Sequence, residues 1–249
     1  MVSRARERIA AVRRGTETLP SPNIWHWPDV YEIENRAQDV DDEVWRALAD
    51  LVDWTGRDVV DVGCGDGFHL PRFAETARRV VGVEPHPPLV RGARARVSEL
   101  ASVEVLAGSA QRLPLPDADV DVVHARTAYF FGPGCEPGLA EADRVLRPGG
   151  VLVIVDLDVR NRPYGDWMRG DLPGYDADEV DTFFERAGFT SRPVETVWRF
   201  ETRADLEAVL RIEFSARVAA RAVAEIPGLS MPVGYRVRLR RKPTGLLRP

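Results

Sequence analysis

The chain is poor in cysteine, in lysine and in long apolar runs. Its two cysteines, Cys64 and Cys135, form no C-x-x-C pair, and no Cys/His cluster has zinc spacing. Neither a disulfide framework nor a bound metal is expected. The longest apolar run is 151–155, against the ~20 residues of a membrane helix, so no membrane partner is expected. Lys242 is the only lysine and the remaining basic residues are arginines, which reads as a bias toward GC-rich codons. The Arg-rich start (Arg4, Arg6, Arg8, Arg13, Arg14) lacks the apolar segment of a secretory signal, so a cytoplasmic location is expected. A net charge of -5 argues against a broad nucleic-acid footprint. With 249 residues, 44% of them hydrophobic, the chain can bury one substantial α/β domain.

The most informative stretch is 59–68. An apolar run ends on Asp61 and is followed by Gly63, Cys64, Gly65, Asp66 and Gly67, and then a helix-like segment over 69–77. That order predicts a parallel strand, a tight turn and a helix start at a ligand-binding sheet edge. Glycine permits positive φ and a close backbone approach to a ligand. A dinucleotide fingerprint would read G-x-G-x-x-G, but Phe68 stands where its third glycine would fall. Cys64 reads as a small residue in a crowded turn, with a reactive thiol beside a helix start as the alternative.

The string Asp61-Val62-Gly63-Cys64-Gly65-Asp66-Gly67 resembles the first motif of the class I S-adenosylmethionine (SAM)-dependent methyltransferases. A second match is Arg144-Val145-Leu146-Arg147-Pro148-Gly149-Gly150 before an apolar strand. The resemblance covers roughly residues 40–200 and is nearest to small-molecule enzymes of the ubiquinone- and menaquinone-pathway type. It implies SAM as cofactor and S-adenosylhomocysteine (SAH) as product. Glu84, 19 residues after Gly65, would accept hydrogen bonds from the ribose diol, followed by Pro85. The family commonly carries G-D-A-x-x-L-P where this chain has Gly108-Ser109-Ala110-Gln111-Arg112-Leu113-Pro114. Ser109 would therefore meet the adenine without charge, Ala110 would offer its N–H, and Gln111 is a substitute acceptor.

Alternating elements predict a Rossmann-like, mostly parallel seven-stranded sheet with helices on both faces and strand seven antiparallel. Strands are expected over 58–62, 79–84, 103–107, 119–125, 151–155, about 192–200, and 234–241. Helices are expected over about 41–53, 85–100, 137–146 and 176–187, with loop over 158–175. Residues 1–40 read as a helical arm followed by a lid, and 41–249 as the methyltransferase domain. An insert over about 202–228 carries Leu206, Leu210, Phe214, Val218, Ala222 and Ile226 at every fourth position. This predicts one helix with one apolar stripe, which could roof the chamber, make a homodimer face or pack on its own core.

The lid segment holds Trp25, His26, Trp27 and Tyr31 between prolines. The resemblance suggests Tyr31 for the SAM carboxylate or sulfonium; the alternative is that the tryptophans plug one end of the core. His124, at the end of strand four, is a candidate for the SAM amino-group region and for a general base. Tyr129 and His26 are further base candidates. Arg126 could hold a substrate carboxylate or that of SAM, and Phe130 and Phe131 could wall an apolar substrate. Alternating Arg236, Arg238 and Arg240 suggest stems lying along the sheet. The reaction expected is methyl transfer to O, N or C of a small, partly apolar molecule, such as a secondary metabolite. The alternatives are a SAM-binding protein without transfer, a nucleotide-cofactor oxidoreductase, and an RNA or protein methyltransferase.

Overall fold

Seven strands in the order β3-β2-β1-β4-β5-β7-β6 form one sheet. They are β1 (Asp58–Val62), β2 (Arg79–Glu84), β3 (Val103–Ala107), β4 (Val120–Arg126), β5 (Leu146–Leu157), β6 (Thr190–Arg199) and β7 (Ser230–Arg241). The computed structural model describes residues 21–245; the helical arm expected before Ser21 lies outside them. β7 runs antiparallel to β5 and β6, and the other pairings are parallel. The order reverses between β1 and β4, and a cleft opens outside the carboxyl ends of strands at such a switch point.

The first three strands match their expected bounds, because each is a short β-branched run closed by turn residues. β1 is buried throughout, as a central parallel strand covered on both faces should be. Its alternation divides the core: Val59 packs with Val122 and Val153 on one face, and Val60 and Val62 pack with Val123 and Leu152 on the other. β5 and β7 are longer than expected. β5 continues to Asp156↔Arg236 and Leu157↔Tyr235, and β7 starts earlier because Ser230 to Val233 pair with Arg199 to Thr196 of β6, pairings that local sequence does not reveal.

Helices flank the sheet: α1 (Pro22–His26), α2 (Pro28–Ala37), α3 (Glu43–Leu51), α4 (Leu70–Ala74), α5 (Pro87–Arg96), α6 (Glu136–Val145), α7 (Tyr164–Asp171), α8 (Ala177–Arg186), α9 (Arg203–Glu213) and α10 (Ala216–Glu225). Two expectations are corrected. The stretch 158–175 is not simply loop: α7 buries Tyr164 and Trp167 completely, and none of its residues walls the central cleft. The insert is two helices. Phe214 turns extended, and Ser215 caps α10 by accepting from the Val218 N–H. The Ser215 N–H and hydroxyl both donate to the Asp171 carboxylate at 2.6 Å. A serine cap competes well with helix continuation once it has such a partner.

The six stripe residues of the insert are all buried, against α2, α7 and the adjoining sheet face. That stripe is consumed inside the chain and is no dimer face. The strand-seven arginines are likewise used internally. Arg236 pairs with Asp158 at 2.6 Å, Arg238 with Asp181 at 2.9 Å, and Arg240 with Asp143 at 2.6 Å. Among the described residues, no helix is long and apolar enough to cross a membrane.

Candidate functional site

The cleft at the switch point holds about 1010 Å³ of non-protein space, its open mouth included. Its floor is the turn after β1. Gly63 has φ +76°, and a Cβ there would stand 2.6 Å from the Ala128 Cβ. The turn and the segment after β4 therefore touch, and only a residue without a side chain fits. Thr127 and Tyr129, on either side of Ala128, hold φ of 46° and 53°. Such left-handed non-glycine residues cost ~1–3 kcal/mol each and cluster at ligand clamps.

Asp61, Gly63, Cys64, Gly65, Glu84, Pro85, Ser109, Ala110, Gln111, Arg126, Tyr129 and Tyr31 all line this cleft. Residues as far apart in the chain as Tyr31 and Tyr129 are thus brought to one wall. Three expected site residues are not in it. Gly67, at φ +83°, is there for packing: a Cβ would lie 3.1 Å from Ala93 on α5. His26 is exposed and meets Trp27 edge-on. His124 is completely buried. It sits beside Asp61 in the β1–β4 register, its Nδ1 is 2.7 Å from Asp61 Oδ1, and Phe73 covers its ring. A base must reach its proton, and neither histidine faces the chamber.

Glu84 is nearly inaccessible yet lines the cleft. Its carboxylate accepts from the Gly65 N–H at 3.1 Å and the His86 N–H at 2.9 Å. Burial, reinforced by Asp61 and Asp66, outweighs these bonds and lifts its pKa to about 7. Burial first, then the carboxylates of Asp61, Glu84 and Asp66, hold the Cys64 thiol well above its ordinary range. Cys64 is a protonated packing residue, not a reactive thiol. Tyr129 is raised to about 12, chiefly by burial, which disfavours it as a base at neutral pH.

The aromatic segment, expected as a lid, forms one wall of the cleft. α2 turns Tyr31 and Asn35 to the cleft, Gln38 follows at its C-cap, and α1 turns Ile24 and Trp25. Trp25 stacks on His86 with ring centroids 4.3 Å apart. The lid is latched by the insert: Glu213 of α9 accepts from the Asn23 amide and, at 2.9 Å, from the buried Tyr164 hydroxyl. Glu213→Ala strands both donors, at about 2 kcal/mol, and should lower the melting temperature by roughly 4–8 °C. Hydrogen exchange across α1 and α2 should rise with it. Unchanged exchange there would show that the lid does not depend on this latch.

His69 is a wall residue that motif reading missed, although it follows the glycine string directly. Burial first, then the neighbouring Arg126, His124 and Arg96, push its pKa well below 6.5, so it is neutral at pH 7. Phe131 lines the cleft, whereas Phe130 is core.

A family model described as a methyltransferase domain matches residues 60–154. A Mycolicibacterium smegmatis protein, described as a probable S-adenosylmethionine-dependent methyltransferase, is 32% identical over 178 residues, covering 69% of this chain and 67% of its own length. The chain spans about half the length of other mycobacterial relatives, 54% and 49%. The structure of a SAM-dependent methyltransferase from Aquifex aeolicus superposes with a TM-score of 0.57 at 22% identity, covering 85% of this chain and 96% of that one. The [4+2]-cyclase SpnF superposes with a TM-score of 0.58 at 24% identity, covering 84% of each chain.

Proposed function

This chain belongs to the class I SAM-dependent methyltransferases, and on that premise we propose that it methylates a small, partly apolar acceptor at O, N or C. The observation that carries the acceptor class is the lid. α1 and α2 close over the cleft with Ile24, Trp25 and Tyr31, opposite Ala128, Tyr129 and Phe131, a wall suited to a compact molecule rather than a nucleic-acid or protein surface. SAM supplies a methyl group on a sulfonium, already a good leaving group.

The chain's own residues fit that cofactor. The buried Glu84 carboxylate would accept hydroxyl hydrogens from the ribose once ionised, and its raised pKa puts that ionisation near neutral pH. Asp61, fixed by His124, would present a carboxylate to the cofactor's ammonium. Gly63 leaves space for close backbone approach, and Ser109, Ala110 and Gln111 would hold the adenine. What remains for the protein is alignment and water exclusion, which can be worth ~7–11 kcal/mol. That fits a wall where His124 only orients Asp61 and Tyr129 holds its proton.

The experiment is calorimetric titration with SAM, SAH and NAD, followed by a labelled-methyl screen of small acids, phenols and amines. Micromolar SAM and SAH binding without NAD binding, and label in a small molecule, is the expected result. Label appearing in bulk tRNA or protein and in no small molecule overturns the acceptor class. Binding without transfer to any class would favour a SAM-binding role, since a [4+2]-cyclase shares this fold and fold alone does not fix chemistry.

A further inference from the structure

We propose that Arg126 is a carboxylate-binding subsite for the acceptor, and that the acceptor is a partly apolar carboxylic acid methylated on its carboxylate oxygen. The inference rests on the methyltransferase reading and deepens it.

Arg126 is 8% exposed and lines the cleft. Its Nη2 donates to Gln38 Oε1 at 3.2 Å, but Nε and Nη1 have no acceptor. Among the described residues it makes no ion pair, whereas the comparably buried Arg238 pairs with Asp181. A buried charge is costly unless a counter-charge meets it. Arg126 is therefore a cation awaiting an anion, and a guanidinium suits a carboxylate.

Its supports place it away from the nucleoside end. The guanidinium lies 5.1 Å from the ring centroid of Tyr235 on β7, and the Tyr235 hydroxyl shares Gln38 Oε1 at 3.1 Å. In the sheet, β5 and β7 lie on one side of β4, and β1, β2 and β3 on the other. Glu84 closes β2, and Ser109 to Gln111 follow β3. The residues after Arg126, Ala128, Tyr129 and Phe131, supply an apolar wall beside the charge.

The same wall argues for the carboxylate as nucleophile. Asp61 is engaged by His124, His124 and His26 do not face the chamber, and His69, which does, is held well below the ordinary histidine pKa and is a weak base. A carboxylic acid ionises near pH ~4 and arrives without a proton to remove. One carboxylate oxygen gives its electron pair to the methyl carbon as the carbon–sulfur bond breaks. That bond's pair stays on sulfur, the products are a methyl ester and SAH, and no proton is released.

The test uses octanoate and phenylacetate, each with its primary amide, titrated into the SAH-saturated protein. Wild type should bind the acids at least 30-fold more tightly than the amides. Arg126→Gln should erase that preference while SAH affinity stays within threefold, and Arg126→Lys should keep part of it. With labelled SAM, the acids should gain label that mild base releases as methanol. Equal binding of acid and amide by wild type overturns the proposal. So does an Arg126→Gln protein that loses SAH affinity as fully as acid affinity, because the carboxylate held would then be the cofactor's own. Failure of wild type to bind SAH would instead strike the methyltransferase reading, a separable result.

Discussion

Glu84→Gln is expected to weaken SAH binding at least tenfold at pH 8 and to flatten its pH dependence. Burial raises the Glu84 pKa to about 7, while the ribose hydroxyls donate best to the ionised form. Below that pH the carboxyl must lose a proton before it binds well, so wild-type affinity should climb about tenfold from pH 6 to pH 8 and then level off. Glutamine keeps the shape and cannot titrate. The same shift has the opposite sign for folding. The native pKa lies above the unfolded value, so ionisation opposes the fold, and stability without ligand should fall as pH rises from about 4.5 through 7. The variant should lose that slope. Calorimetry at pH 6, 7 and 8, with thermal melts of the ligand-free protein, reads both effects. An SAH affinity that does not change on substitution would remove Glu84 from the cofactor site.

Gly63→Val should abolish measurable SAH binding, a loss of at least 100-fold, in a protein that retains its circular dichroism. Two separate penalties act at one position. The backbone is at φ +76°, and any Cβ meets the Ala128 Cβ at 2.6 Å. The first costs ~1–3 kcal/mol for a non-glycine residue. The second pushes the segment after β4 away from the turn that it closes. A factor of 100 corresponds to about 2.8 kcal/mol, within reach of the two together. Gly63→Ala with Ala128→Gly relieves the contact and leaves the dihedral strain, so it should recover part of the affinity and not all of it. Full binding by Gly63→Val would mean that this turn does not touch the ligand.

The alternating core was legible because its signals are local. A β-branched run ending on Asp61 and three glycines, and another ending on Glu84, specify strand, turn and ligand edge without help from distant residues. The same locality explains the errors. The apolar repeat of the insert continues through Phe214 and Ser215, so only the Asp171 carboxylate, 44 residues away in the chain, decides that two helices form there. α7 went unread because Pro163, Gly165 and Gly170 break its pattern, and it exists because Tyr164 and Trp167 have a core to enter.

The amino-acid sequence by itself determined the strand-turn-helix order, the glycine floor and the acid that closes β2, because propensity, turn chemistry and spacing act over a few residues. Only the tertiary structure decided which polar groups meet. His124 is turned from candidate base into the partner of Asp61, and Arg236 and Arg238 are neutralised by Asp158 and Asp181. Among the described residues, Arg126 alone of the arginines is brought to the cleft wall, with two donors unmet. Burial and pairing are sums over neighbours that the chain brings together from afar, and a charge's role follows from that sum rather than from its place in the sequence.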